Sequence, residues 1–188
     1  MVQLQPVHTT TAECATLACA AEAILSQCEA FILAVPDGSY VAASSTMRGG
    51  TIGKHLRHTL DHFSAALACV DDPAHVIDYD ARQRNVPMES DRRCAISCLA
   101  ALRDQLAAAA GEGLHRPVCV RVMIDGDGRT AELSSTLGRA LAFATHHAIH
   151  HQAMMKAIAA EFGVIVHDGF GKAPSTLRAE APSPARIA

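Results

Sequence analysis

Residues 135–162, STLGRALAFATHHAIHHQAMMKAIAAEF, contain no proline and only one glycine, close to their start, and four histidines fall within six positions: His146, His147, His150 and His151. The composition predicts one long helix. Residues four apart share a helix face, so the run holds two potential chelating pairs, His146 with His150 and His147 with His151. Around His147 and His151, positions at helical spacing are Ala140, Phe143, Ala144, Met154, Met155, Ile158 and Phe162, an apolar stripe. The other pair shares its face with Arg139, Ala153, Ala157 and Glu161, a boundary composition. His147 and His151 are therefore expected to point inward and to be the metal-binding pair. The alternative is four boundary histidines with ordinary hydrogen bonds.

A second helix is predicted from Thr51, its expected N-cap, to about Val70, with Ile52, Leu56, Leu60, Phe63 and Leu67 at helical period. His55, His58 and His62 lie along one side of it. Packed beside the first pair, one of them would complete three imidazoles, the ligand count of an open catalytic site. Periodicity does not choose among the three, and places His55 and His62 nearer the apolar stripe than His58.

Elsewhere the signals are plainer. Thr11 to Val35 has no Gly or Pro and is predicted as a helix stopped by Pro36-Asp37-Gly38; another runs from about Met88 to Ala110 and ends at Gly111-Glu112-Gly113. Between the Met88–Ala110 helix and the histidine helix the period changes to two: Val118, Val120, Val122 and Ile124 alternate with Cys119, Arg121 and Met123 before Asp125-Gly126-Asp127-Gly128, which predicts a β-hairpin near 117–134. A calcium loop starting at Asp125 would need a carboxylate where Thr136 stands. Ser134 or Ser135 is the expected N-cap of the histidine helix. The fold class expected is all-α, a four-helix bundle with a β-hairpin inserted between helices 3 and 4, forming one domain over residues 1–178 with a disordered tail over 179–188.

The 188 residues carry a formal net charge of −3 and no Lys/Arg-rich run, which argues against nucleic acid and acidic membranes as partners. Met1 to Thr11 lacks the features of a signal peptide, and the apolar runs read as too short or too polar to span a bilayer, so a cytoplasmic location is expected. Seven cysteines without a CxxC pair support neither a zinc ribbon nor a thioredoxin-like motif, and most are expected to be reduced core residues. HExxH is absent, since residue 148 is Ala, and so are GxSxG, P-loop and GxGxxG motifs. The segment from Asp72 to Pro87 is dense in Asp, Tyr and Arg. Either a network pins it, or Tyr79, Arg82 and Arg84 are presented to orient an anionic small molecule.

The order Ile52-x5-His58-x2-Asp61 on an early helix, then Ser134-Ser135-x3-Arg139 entering a last helix with His147-x3-His151, resembles the DinB-like (DinB/YfiT) superfamily of four-helix-bundle metalloproteins, over most of the chain to about Arg178. The resemblance implies a metal triad of His58, His147 and His151, holding a divalent ion such as zinc or nickel. His55, His62, His146 and His150 are additional to the family's three and stay open as substitutes or supplements. Asp61, one turn from His58, is expected as its acceptor. Because the superfamily shares fold more than activity, two classes of function follow. One is a metal-dependent enzyme acting on a small molecule, first a thiol-dependent S-transferase or isomerase using a low-molecular-weight thiol, second a hydrolase. The other is a non-enzymatic metal-binding stress-response protein. A small-molecule ligand is the expected partner, and a homodimer stays open.

Overall fold

The computed structural model describes residues 11–70, 72 and 74–181. Among them the elements run α1 (Thr11–Ala34), α2 (Asp37–Val41), α3 (Ile52–Ala68), β1 (Val76–Asp78), a 3-10 turn (Pro87–Glu89), α4 (Arg92–Glu112), β2 (Pro117–Met123), β3 (Thr130–Thr136), α5 (Leu137–Glu161) and α6 (Pro174–Glu180). The chain is mostly helical with a small three-stranded sheet. The four long helices pack in a ring: α3 on α5, α5 on α1, α1 on α4 and α4 on α3. Leu25, Ile32, Leu56, Phe63, Leu99, Leu141, Met155 and Ile158 fill the space between them.

Helices α3, α4 and α5 each start where a side chain can satisfy an orphan amide. Thr51 Oγ1 accepts from Lys54 N at 3.1 Å, and Asp91 accepts from Arg93 N at 2.8 Å. Helix α4 thus begins later than Met88, because Pro87 and its neighbours form the separate 3-10 turn. The expected cap of α5 is corrected too. Ser134 and Ser135 are strand residues paired with Cys119 and Val118, and Thr136 Oγ1 takes the Arg139 amide at 3.2 Å. The hairpin therefore runs directly into the helix, and Ile124, read as part of the strand, sits in its turn.

Two further elements were not expected. Pro36-Asp37 ends α1 but also opens the short α2, whose buried Tyr40 donates to Met88 O at 2.6 Å. Val76–Asp78 joins β2 in parallel, giving the order β1-β2-β3, so the fold is helical with a mixed sheet where helices and a lone hairpin were anticipated. Only Ile77 of β1 is buried, and three residues are too few to display a period. Of the expected tail, Ala179 and Glu180 complete α6, with Glu180 accepting from Lys172 Nζ at 2.7 Å; residues 182–188 lie outside the described residues, as does the N-terminal segment 1–10.

The stretch Thr16–Ala34 of α1 is long and apolar enough to cross a bilayer by length and composition, contrary to the reading of the sequence. In the fold its buried face packs on α4 and α5, and Glu22 and Glu29 pair with Arg103 at 2.6 and 2.8 Å. Of the cysteines whose side chains are described, Cys28 and Cys69 are buried and Cys19 is exposed.

Candidate metal centre

Helices α3 and α5 pack closely together, and His55, His58 and His62 of the one and His147 and His151 of the other lie at the seam between them. His151 is buried, His147 half-buried, and His146 and His150 exposed, which places the two pairs on opposite sides of the helix boundary. On α3, His62 is buried while His55 and His58 are half-buried.

Three Nε2 atoms converge. His147 Nε2 lies 3.0 Å from His58 Nε2 and 3.1 Å from His151 Nε2. Each neutral imidazole has one in-plane lone pair, so His147 Nε2 can satisfy two such neighbours with protons only through a poor shared bond. A single cation accepting all three lone pairs resolves the conflict. Metal–nitrogen bonds of 2.0–2.1 Å set neighbouring ligand nitrogens about 3.0–3.4 Å apart, so the His58–His147 and His147–His151 separations are those of neighbouring ligands on one divalent ion. His151 Nδ1, the nitrogen left over, sits 3.0 Å from His55 Nδ1. With His151 Nε2 engaged, Nδ1 carries the proton and donates it to His55, which fixes the ring.

His62 differs. Its Nδ1 donates to the His58 carbonyl at 2.9 Å, and its ring is nearly parallel to those of Tyr79 and His147, with centroids 5.0 and 4.0 Å away. Ring nitrogens of His58, His62 and His147 nevertheless lie within 4.8 Å of one another, so a second triad shares two members with the first.

Burial is the main reason that every imidazole in the cluster is a weak base, with neighbouring imidazoles second for His147 and His151. His147 is lowered to about 4 and His151 to about 3. His58 is lowered to about 2, by burial and then by His151, and His55 and His62 are lowered as well. All are neutral at pH 7, the form a metal needs. A prediction follows for the metal-free protein. An unfolded histidine gains its proton near pH 6.5 while the folded one does not, so the unfolded state holds more protons below that pH and folding weakens as pH falls. Between pH 6.5 and 5, above the carboxylate range, the urea midpoint should drop steadily. It should drop less in His147→Gln/His151→Gln; equal slopes for both proteins would contradict the assignment.

Three expected roles are corrected. Asp61 does not orient His58: its Oδ2 accepts from Arg57 Nη1 at 2.6 Å. Tyr79 is buried, donates its hydroxyl to Ala140 O at 3.1 Å and packs on His62 and Phe143, so it supports the cluster from below and presents nothing to a ligand. Of the apolar stripe on α5, Phe143 and Phe162 prove to be exposed edges. Arg82 does reach the site, with Nη1 against His58 Nδ1 and 3.2 Å from Nε2. A guanidinium only donates, so this contact needs the lone pair on Nδ1, whereas a metal on Nε2 needs a proton there. The two arrangements exclude each other, and Arg82 must leave His58 when Nε2 takes a metal.

A pocket of about 460 Å³ opens onto His55, His58 and His151. One wall is the 47–50 turn, held by Glu161, whose carboxylate accepts from Ser44 Oγ at 2.5 Å and from Ser45 N at 3.0 Å. These bonds, that from Ser44 first, draw the Glu161 carboxyl down to about 2. The other wall is the 82–89 loop, held by Arg57 Nη1 donating to Gln83 O at 3.2 Å and by Asp80 accepting from Met123 N at 2.9 Å. Arg84 lies in this wall, exposed. The loop is thus both pinned and presenting. The sequence reading missed His55 as a partner of His151 and missed Arg48, Lys54 and Arg57 in the pocket; Lys54, Arg57 and His58 stand at i, i+3 and i+4 on α3, a spacing that would have put them on one face.

No family model matches this chain. No solved structure matches it either. It is similar to FK506-binding protein 5 of Rhizopus delemar, 38% identical over 104 residues that make up 55% of this chain and 27% of that protein. The matched stretch is thus about a quarter of the relative's length.

Proposed function

We propose that this chain is a DinB-like four-helix-bundle metalloprotein whose His58, His147 and His151 hold a divalent ion, Zn²⁺ or Ni²⁺, and that it is an enzyme acting on a small molecule, a thiol-dependent S-transferase or isomerase. The observation that carries the reading is the convergence of the three Nε2 atoms, at 3.0 and 3.1 Å, beside an open pocket. The ring of four long helices and the placement of the ligands on α3 and α5 support the assignment to that bundle class. When bound, such an ion lowers the pKa of a thiol or water placed against it.

The chain's own residues supply the rest. His55 Nδ1 accepts the hydrogen bond from the His151 Nδ1–H and keeps that imidazole aimed. His62 and Phe143 stack on the His147 ring, with Tyr79 packed against both, and hold that imidazole in place. Arg82, released from His58, turns its charge toward whatever occupies the pocket. A hydrolase would use the same residues. A structural, non-enzymatic metal is the second reading, and one observation favours it: His62 lies near enough to His58 and His147 to close the coordination as a fourth ligand.

The two readings separate in the Co²⁺-substituted protein. If the site is open, a small thiol such as 2-mercaptoethanol shifts the visible Co²⁺ spectrum and adds a thiolate charge-transfer band. A spectrum indifferent to thiols and to small carboxylates, together with metal content that falls in His62→Ala, would overturn the open-site reading.

A further inference from the structure

Five of the chain's 16 Lys and Arg residues, Arg48, Lys54, Arg57, Arg82 and Arg84, line the one pocket above the imidazoles, against a single carboxylate, Glu89. This is a local excess in a chain whose overall charge is −3. Glu89 is already committed: Arg57 Nε lies 3.1 Å from it, and Arg57 also holds Asp61. The Arg82 guanidinium lies against His58, a neutral group, and its only acidic neighbour among the described residues is Asp61, which Arg57 already holds. Arg48, Lys54 and Arg84 have no ion-pair partner among the described residues. Single unpaired surface cations are ordinary. Several converging on one concavity, from three separate segments and beside a cluster of neutral imidazoles, repel one another unless something negative lies between them.

The segments that carry them are fixed in place. Glu161 ties the Arg48 turn to α5, Arg57 and Asp80 tie down the Arg82–Arg84 loop, and Lys54 is on α3 itself. Gly50 permits the close seam between turn and helix, since a Cβ there would stand 2.8 Å from His55 Nε2. The cations are therefore held around the pocket before any ligand arrives, and about 460 Å³ has room for a small metabolite and not for a folded partner.

We propose that the ligand of this pocket is a compact polyanion, a small molecule carrying two or more negative charges on carboxylate or phosphate groups, gripped by Lys54, Arg84, Arg48 and Arg82. This deepens the metal-site reading, which it uses only to say which end of the molecule reacts: the end that points at His58 and His151.

Isothermal titration of the metal-free full chain at low salt and pH 7.5 tests it, with succinate and glycerol 3-phosphate as dianionic probes and acetate as the monoanion. Both dianions should bind more tightly than acetate, and whichever is preferred tells dicarboxylate from phosphate. Lys54→Gln/Arg84→Gln should weaken the dianions about tenfold or more, since each charged hydrogen bond lost is of that order. The equally large charge change Arg93→Gln/Arg178→Gln, at exposed positions away from the pocket, should not. Dianions that bind no better than acetate or not at all, or a Lys54/Arg84 variant that binds like wild type, would overturn the proposal. Elemental analysis of the same preparations reports the metal site separately: Lys54→Gln/Arg84→Gln should bind dianions weakly yet keep its metal stoichiometry.

Discussion

Replacing His147 and His151 together by alanine should strip the purified protein of the divalent metal proposed for it, whereas His146→Ala/His150→Ala should leave the metal stoichiometry near that of wild type. The pairs differ by one residue in sequence and by a side of the helix in space. His147 and His151 offer Nε2 atoms 3.1 Å apart at the α3–α5 seam, while His146 and His150 are exposed. Loss of a mere supporting partner costs a metal site roughly 10- to 100-fold in affinity, and the loss of two direct ligands costs more than that. The measurement is elemental analysis after dialysis against a weak chelator, with circular dichroism to confirm the fold. Two single variants sharpen it. His55→Ala, which removes only the acceptor of the His151 Nδ1 proton, should weaken binding within the 10- to 100-fold range and leave stoichiometry at saturation unchanged. His62→Ala should leave the stoichiometry unchanged as well. Equal metal loss from both double variants, or loss from His62→Ala comparable to that from His151→Ala, would replace the proposed triad.

The sequence revealed most where one residue type carries strong contrast. Thr51 before an apolar period gives the start of α3 to the residue, and the alternation of Val118, Val120 and Val122 gives β2. Alanine carries little contrast, and that is why α5 was read one notch off. Ala140, Ala144, Met155 and Ile158 of the expected stripe are buried, but so are Leu141, Thr145, Ala148, Ile149 and Gln152, many of them small or polar, while the bulky Phe143 and Phe162 mark the stripe's exposed edge. His147 and His151 still face the seam, because the error is smaller than the width of the face. The same limit hid His58. A half-buried position at a stripe's border is where a ligand can meet both a core helix and a pocket, and periodicity ranks such a position low. Asp61 and Tyr79 show the opposite failure: both have the chemistry suited to a site, and the fold spends one on Arg57 and the other on a main-chain carbonyl. The Tyr79 partner lies 61 residues along the chain, where no local spacing could reveal it, whereas Arg57 stands four residues before Asp61 on α3, an i, i+4 spacing that would have shown the pair.

The tightest constraint around the pocket is a glycine, and its replacement should have the largest effect on stability of any single methyl group added. Gly53 sits in the first turn of α3, where a Cβ would lie 2.0 Å from Glu89 O and 2.9 Å from the Tyr40 ring. Helix propensity by itself favours alanine there by about 1 kcal/mol. The clash outweighs this because its nearest partner is main chain, which no rotamer change can move. Tyr40 cannot retreat either: it is fully buried and its hydroxyl holds Met88 O. Separating α3 from the 3-10 turn costs about 2–3 kcal/mol or more after the propensity gain, by the usual penalty for overpacking. In a domain of this size that lowers Tm by roughly 5–10 °C. Arg57 and Glu89 are pulled apart in the process, so the wall bearing Arg84 loosens and dianion affinity falls, while His58, His147 and His151, which lie beyond the first turn, keep their metal. Gly38→Ala is the matched control, with open space around the added methyl and no unusual backbone angle, and it should be neutral or slightly stabilising. A Gly53→Ala protein that melts at or above the wild-type temperature would show that α3 and the 85–89 segment do not pack this closely, and with them the wall of the pocket would have to be redrawn.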